Sequence, residues 1–252
     1  MEVFPLIKDL RDYLDLLREK GWLDTITEPR SLDTLAATMR EQEKKERTIL
    51  FDHIEGYDCP MVNNLFANRA FLAAVFDCPV EEVTRVFSQR YEQRVTPVLV
   101  DQAPVQEHVY TGADIDVLRF PFLQHAPKDA GRYISAGVVI AKDPETGVRN
   151  CSINRMQLKG RDYTGFRMSP RQDLEAYYNK AKALGQNLEL AVVIGNHPID
   201  LLAAACGPAR DVDELEIAGA LRGEPVEPFL NLMSIAPKSS ISIFLKNVPL
   251  SQ

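Results

Sequence analysis

The chain has 252 residues, 45% of them hydrophobic and 26% charged, a globular balance that excludes a disordered or fibrous polypeptide. A formal net charge of −7 without any long Lys/Arg block excludes the cationic footprint that nucleic-acid phosphates require. The longest apolar runs, around residues 190–194 and 201–206, fall far short of the ~20 residues of a membrane span, and the opening MEVFPLIKDLRD has the form of neither a secretory signal nor a transit peptide. A cytoplasmic protein is the expectation, with no membrane and no nucleic acid among its partners.

Leu6, Leu10, Tyr13, Leu14 and Leu17 share one face at helical spacing, which predicts an amphipathic helix within residues 6–22 closed by Gly21. Ser31 is a plausible N-cap for a second helix carrying Leu32, Leu35, Ala36 and Met39. Short extended segments follow at 48–51 and 60–65, then helices at 69–76 and 79–87, the latter opening with Pro79 and the acidic pair Glu81 and Glu82. This alternation predicts an N-terminal α/β domain over residues 1–110. Pro97, Pro104, Pro121 and Pro127 make residues 95–127 a crossover without long regular elements.

Residues 133–141 and 151–158 read as strands, joined by a turn at Asp143, Pro144 and Gly147. Ser169, Pro170 and Gln172 have the spacing of a capping box opening a helix to about residue 184, stopped by Gly185. The apolar run 188–194 is a buried strand. Asp211 and Glu214 repeat the capping-box spacing before a helix that runs toward residue 221.

Cys59, Cys78, Cys151 and Cys206 have no close pairing, which predicts reduced thiols rather than a zinc site or a disulfide framework. His53, His108, His125 and His197 are dispersed and predict surface or structural roles. No phosphate loop, nucleophile elbow or metal-spaced cluster is written in the chain.

Several collinear segments carry a family likeness: RYISAGVVIAKDPETGVRNCSINR, TGFRMSPRQDL and GNHPIDLLAAACGPARDVDELEIAGALRGEPVE, together with LRDYLDLLREKGWL and MVNNLFANR nearer the start. Over about residues 5–227 the chain resembles the UbiD family of decarboxylases. The resemblance implies an α+β fold, in which the N-terminal α/β domain is followed by a split β-barrel flavin-binding domain over 111–227, here incomplete. It also implies a prenylated FMN held with Mn²⁺ or Mg²⁺ and K⁺, the flavin coming from a flavin prenyltransferase, and homo-oligomers in the full-length family.

By the same resemblance, Asn150, Ser152, Ile153 and Arg155 match the N-x-S-I-x-R segment at the flavin, and Arg155 is the catalytic group that steers a substrate carboxylate. Arg171, Gln172, Ala204, Ala205 and Cys206 join the cofactor-binding set, the last three through main-chain carbonyls for potassium. Asn150, Gln172 and Glu214 form the implied metal set, with Gln172 standing where the family has a histidine. An amide oxygen and a carboxylate suit a hard cation, and a guanidinium suits a carboxylate. The alternative for Gln172 and Glu214 is that each completes a capping box.

The implied activity is reversible decarboxylation of a small aromatic, heteroaromatic or α,β-unsaturated carboxylic acid, the flavin acting as electron sink. The family's proton-donating glutamates lie in an E-G-P-F-G-E-like segment that has no counterpart here. After Glu227 there is no Asp or Glu, and Lys238 and Lys246 are the only charged side chains. Residues 228–252 form an atypical tail, a truncated chain that is inactive alone is expected, and a non-catalytic flavin-binding or assembly subunit completed by a partner chain is the alternative. The alternation of Ser and apolar residues at 240–245 predicts a segment that is sticky if left unpaired.

Overall fold

The computed structural model describes residues 7–100, 107–170, 172–227 and the backbone of 241–248. The chain forms two compact units, each assembled from several segments: residues 1–86, 110–134 and 156–165 in the first, and 87–109, 135–155 and 166–252 in the second. Among the described residues the fold is mixed α and β with three small sheets, none of which closes into a barrel. No helix among them is long and apolar enough to cross a membrane.

The first unit opens with helix α1 (Leu10–Glu19), capped by Asp9, whose side chain accepts from the N–H groups of Arg11 and Asp12. The expected stop is present, since Gly21 takes a φ of 69° that L side chains resist. Strand β1 (Leu23–Ile26), helix α2 (Leu32–Gln42) and strand β2 (Thr48–Phe51) make a parallel crossover, and β3 (Met61–Asn63) adds antiparallel to β2. Leu35 and Met39 of α2 bury against Ile49, Phe51, Ile54 and Leu123. Tyr13, Leu16 and Leu17 of α1 pack on Leu23 and Phe71, and Trp22 stacks on Phe71 at 5.0 Å.

Helix α3 (Arg69–Phe76) begins where expected, with Asn68 as its cap. The helix expected at 79–87 is displaced: residues 80–82 form one 3-10 turn and helix α4 spans Val83–Tyr91. Over the described part of the proline-rich stretch only two short 3-10 turns form, at Gly112–Asp114 and Val117–Arg119.

The 133–141 segment is two strands, β4 (Tyr133–Ile134) and β5 (Val138–Lys142). The segment expected as one strand over 151–158 is likewise two, β6 (Arg149–Ile153) and β7 (Met156–Leu158), which lie in different sheets. Strand β7 pairs with β4, and β8 (Thr164–Phe166) completes that sheet.

The second unit is organised by a sheet in the order β10-β9-β5-β6, where β9 is Leu188–Ile194 and β10 is Ile241–Val248. Strand β5 is central, antiparallel to β6 on one side and β9 on the other, so Val138–Ala141 and Val192–Val193 are fully buried. The backbone of 241–248 is not left unpaired, since it runs antiparallel along β9. Helices α5 (Asp173–Ala183), α6 (Pro198–Ala204) and α7 (Glu214–Arg222) pack on this sheet.

Helix α7 and the segment after it also support residues 95–98: Val95 N–H donates to the Glu216 carbonyl at 3.2 Å and Val98 N–H to that of Val226 at 2.9 Å. Gly219 allows this approach, because a Cβ there would sit 3.0 Å from the Val95 carbonyl oxygen. Helices α6 and α7 are joined by an ion pair between Asp200 and Arg222, whose side chains are only 1% and 9% exposed.

Candidate functional site

Strand β6 is the edge of its sheet among the described residues, so alternate backbone N–H groups point away from β5 and need acceptors. Helix α7 supplies one. Glu214, its first residue, turns its side chain onto β6: Oε2 accepts from the Cys151 N–H at 2.8 Å and Oε1 from Asn150 Nδ2 at 2.9 Å. Residues 64 positions apart in sequence thereby share one buried contact.

This arrangement overturns the capping role considered for Glu214. The N-cap of α7 is Asp213, not Asp211, and its Oδ1 accepts from the Leu215 N–H at 2.9 Å. The nearer aspartate takes the cap, and Glu214 at the first helical position is free to face the strand. The Ser169–Gln172 capping box does not form either. Ser169 instead closes a turn, its carbonyl accepting from the Gln172 N–H at 3.3 Å. Gln172 is extended, stands as the N-cap residue of α5 and makes no side-chain cap bond.

Glu214 is 2% exposed and Asn150 is 7% exposed. Burial pushes the Glu214 carboxyl up from 4.5 to about 7, opposed by the N–H groups of Cys151 and of its own residue and reinforced by the charges of Asp213 and Asp173. Asn150 Oδ1 is buried and accepts no hydrogen bond. A desolvated carboxylate beside an amide oxygen without a partner is a hard, oxygen donor set of the kind a divalent cation takes. The residues present therefore fit a hard divalent ion. Among the described residues no cluster of three His, Cys, Asp or Glu side chains with metal-holding geometry occurs.

The other expected residues lie as follows. Ser152 is half-buried on β6, and its Oγ accepts from Asn154 Nδ2 at 2.7 Å. Ile153 ends β6 with 41% of its surface exposed. Arg155 is exposed in the two-residue link between β6 and β7. Ala204 ends α6, Ala205 is its C-cap, and their segment continues to Cys206, whose N–H and thiol turn back to the carbonyls of Ala203 and Leu202. Burial, and secondarily the charge of Glu214, push the Cys206 thiol up. Arg171 lies outside the described residues.

Three features escaped the sequence reading. Asp173, next to Gln172 at the start of α5, lies within electrostatic reach of Glu214 and is paired with Arg210 at 2.7 Å. Arg149 and Asp213 flank the Asn150–Glu214 contact and pair at 2.6 Å. His197 is a buried structural histidine, as its class predicted, but its role is specific: Nδ1 caps α6 by accepting from the Ile199 N–H at 3.0 Å. The signals available were the acidic first turns at 173–175 and 213–216, which pattern alone assigns to helix starts.

Comparison with known proteins gives a consistent picture. The model of the 3-octaprenyl-4-hydroxybenzoate carboxy-lyase N-terminal domain matches residues 14–91, and that of the carboxy-lyase Rift-related domain, named UbiD, matches residues 97–235. The chain is 31% identical over 222 residues to the anhydromevalonate phosphate decarboxylase of Methanothermobacter thermautotrophicus, covering 86% of this chain and 50% of that protein. It is 31% identical over 233 residues to the phenolic acid decarboxylase of Bacillus subtilis, covering 86% and 49%. The UbiD-class enzyme HmfF of Pelotomaculum thermopropionicum, solved with FMN, superposes with a TM-score of 0.85 at 36% identity over 92% of this chain and 53% of that one. An evolved dimeric form of the same enzyme, solved with prFMN, gives 0.86 at 34% identity over 95% and 58%. The chain thus spans about half the length of the curated relatives it matches.

Proposed function

The chain belongs to the UbiD family of carboxy-lyases, and from that premise we propose that it contributes the cofactor-holding part of a decarboxylase acting on aromatic, heteroaromatic or α,β-unsaturated carboxylic acids through a prenylated flavin. The observation that carries this reading is the buried meeting of Asn150 and Glu214 at 2.9 Å, with Asn150 Oδ1 left over for a ligand. When bound, the flavin supplies an electron sink for the bond between the substrate carbon and its carboxylate.

In this proposal Asn150 and Glu214 would hold Mn²⁺ or Mg²⁺, whose positive charge would suit the phosphate of the flavin. Gln172, exposed and without a cap bond, has its carbonyl oxygen to contribute, and the neighbouring Asp173 adds negative charge. The carbonyls from Ala204 to Cys206, at the negative end of α6, offer oxygens to K⁺. Ser152 and Ile153 would border the flavin, and Arg155, exposed in the link after β6, would receive the substrate carboxylate and orient it. The split-barrel description of the flavin domain and the boundary near residue 110 belong to the same proposal, supported by family matches over 14–91 and 97–235. So does self-association, for which the dimeric HmfF form is the supporting parallel.

The test is retention of cofactor. The chain is mixed with prenylated FMN, Mn²⁺ and K⁺, passed through a desalting column, and its flavin absorbance read. The wild-type chain retains flavin, Asn150→Ala and Glu214→Gln lose it, and Arg155→Ala keeps the flavin while losing affinity for an aromatic carboxylate. A wild-type chain that retains none overturns the reading.

A further inference from the structure

Resting on the assignment of Asn150 and Glu214 as oxygen ligands, we propose that the Arg149–Asp213 ion pair is the positioning pair of this site. It touches no ligand itself, and it docks the first turn of α7 on β6 so that the Glu214 carboxylate faces Asn150 and the Cys151 amide.

The geometry is a double clip. Arg149 and Asn150 are adjacent on β6, and Asp213 and Glu214 are adjacent at the start of α7. The two cross-links are therefore made one residue apart on both elements: Arg149 to Asp213 at 2.6 Å, and Asn150 to Glu214 at 2.9 Å. Both nitrogens of the Arg149 fork, Nε and Nη2, reach Asp213 Oδ2. The other oxygen of Asp213 is committed to its own helix through the Leu215 N–H. One carboxylate thus ties the helix start to itself and to the strand, which fixes where the next residue begins.

That constraint matters because Glu214 resists its own position. A glutamate at the first turn of a helix ordinarily points to water, and here burial opposes its charge. Two hydrogen bonds from β6 hold it inward, and both require the helix start to sit in register with the strand. The pair is suited to the task, since the Arg149 and Asp213 side chains are only 18% and 12% exposed and so are screened less than a surface pair. Lys180, in the same unit, joins α5 to the β5–β6 turn by pairing with Asp143 and Glu145, so it serves as a structural control.

The test uses the full chain and two readouts, exchange of the Cys151 amide followed by NMR and Mn²⁺ affinity followed by electron paramagnetic resonance. Arg149→Met removes the cation, while Asp213→Asn keeps a cap acceptor and removes the charge. Each is expected to lower Cys151 protection and to weaken Mn²⁺ binding by about 10–100-fold, the usual effect of losing an outer-shell partner. The amides of Ile140 and Val192 stay protected, the double variant is no worse than either single one, and Arg149→Lys recovers most of the loss. Lys180→Met moves neither readout.

The proposal is overturned if Arg149→Met and Asp213→Asn leave both readouts at wild-type values, or if protection falls equally across the sheet. Should the wild-type chain bind no Mn²⁺, the ligand assignment fails, and Cys151 exchange alone decides the positioning role. If Arg149→Met does not fold, Asp213→Asn carries the test.

Discussion

Replacing Glu214 by Gln isolates the energetic consequence of burying its charge. The carboxyl moves from 4.5 to about 7 on folding. Below pH 4.5 it is protonated in the folded and unfolded chain alike, and its contribution is fully present. As the pH rises toward 7 the unfolded chain ionises first while the folded one keeps its proton, so stability is lost; above about 7 both are ionised and the loss is complete. At about 1.36 kcal/mol per pH unit, that interval is worth on the order of 3 kcal/mol. Glutamine has the same shape and preserves both contacts: its oxygen accepts the Cys151 N–H, and its amide donates to Asn150 Oδ1 once the Asn150 amide rotates. Urea unfolding in chelator is therefore expected to give similar stabilities at pH 4.5 and a variant more stable than wild type by about 3 kcal/mol at pH 8. Under the proposed metal site, Mn²⁺ at a hundred times its Kd is expected to return about 2.7 kcal/mol to wild type alone. A difference that does not grow with pH, or a wild-type chain that is the more stable at pH 8 in chelator, refutes the reasoning.

Three further outcomes follow from named contacts. Arg222→Met strands the buried Asp200 carboxylate without its cation and is expected to cost about 3–5 kcal/mol by urea unfolding, with most of that recovered in the Asp200→Asn/Arg222→Met double variant. Gly219→Ala drives a Cβ to 3.0 Å from the Val95 carbonyl and 3.2 Å from that of Glu224, both backbone atoms that yield poorly. A loss of about 1–3 kcal/mol is expected despite alanine's better helix propensity, and an unchanged urea midpoint would contradict it. Gln172→Ala removes a side chain that makes no cap bond, so its stability should stay within about 0.5 kcal/mol of wild type. A loss near 1 kcal/mol would reinstate the capping role.

Where the local code and the tertiary contacts agree, the elements were legible: α2 after Ser31, α3 at 69–76 and β9 at 188–194 lie where the pattern places them. The misses have distinct causes. Strands β1 and β8, which lie outside the segments read as strands, are four and three residues long, too short for a period of two to declare itself clearly. Helix α6 begins with a histidine cap and a proline and lasts seven residues, too brief for a stripe. At α7 two candidate caps, Asp211 and Asp213, stand close together and the one nearer the packed helix prevails, whereas α5 starts after Gln172 without a side-chain cap bond. For α5 this leaves Asp173 and Glu175 in the first turn and Lys180 and Lys182 in the last, as the helix dipole favours.

The site was legible only through resemblance, because no pattern of spacing links Asn150 to Glu214 across 64 residues. What resemblance omits is the reason such a pair persists, and that reason lies in the sheet. An edge strand must find acceptors for its outward amides, and β6 takes for Cys151 a carboxylate where a neighbouring strand or water would serve. That choice buries an acid, and the buried acid raises the demand for positive charge beside it. The adjacent guanidinium of Arg149 cannot meet that demand, since both of its contacting nitrogens are spent on Asp213. Asn150 offers its amide nitrogen to Glu214 and keeps its oxygen unspent. The same edge that solves a backbone problem thus gathers a buried carboxylate and an amide oxygen without a partner at β6, which is the arrangement the proposed metal site draws on.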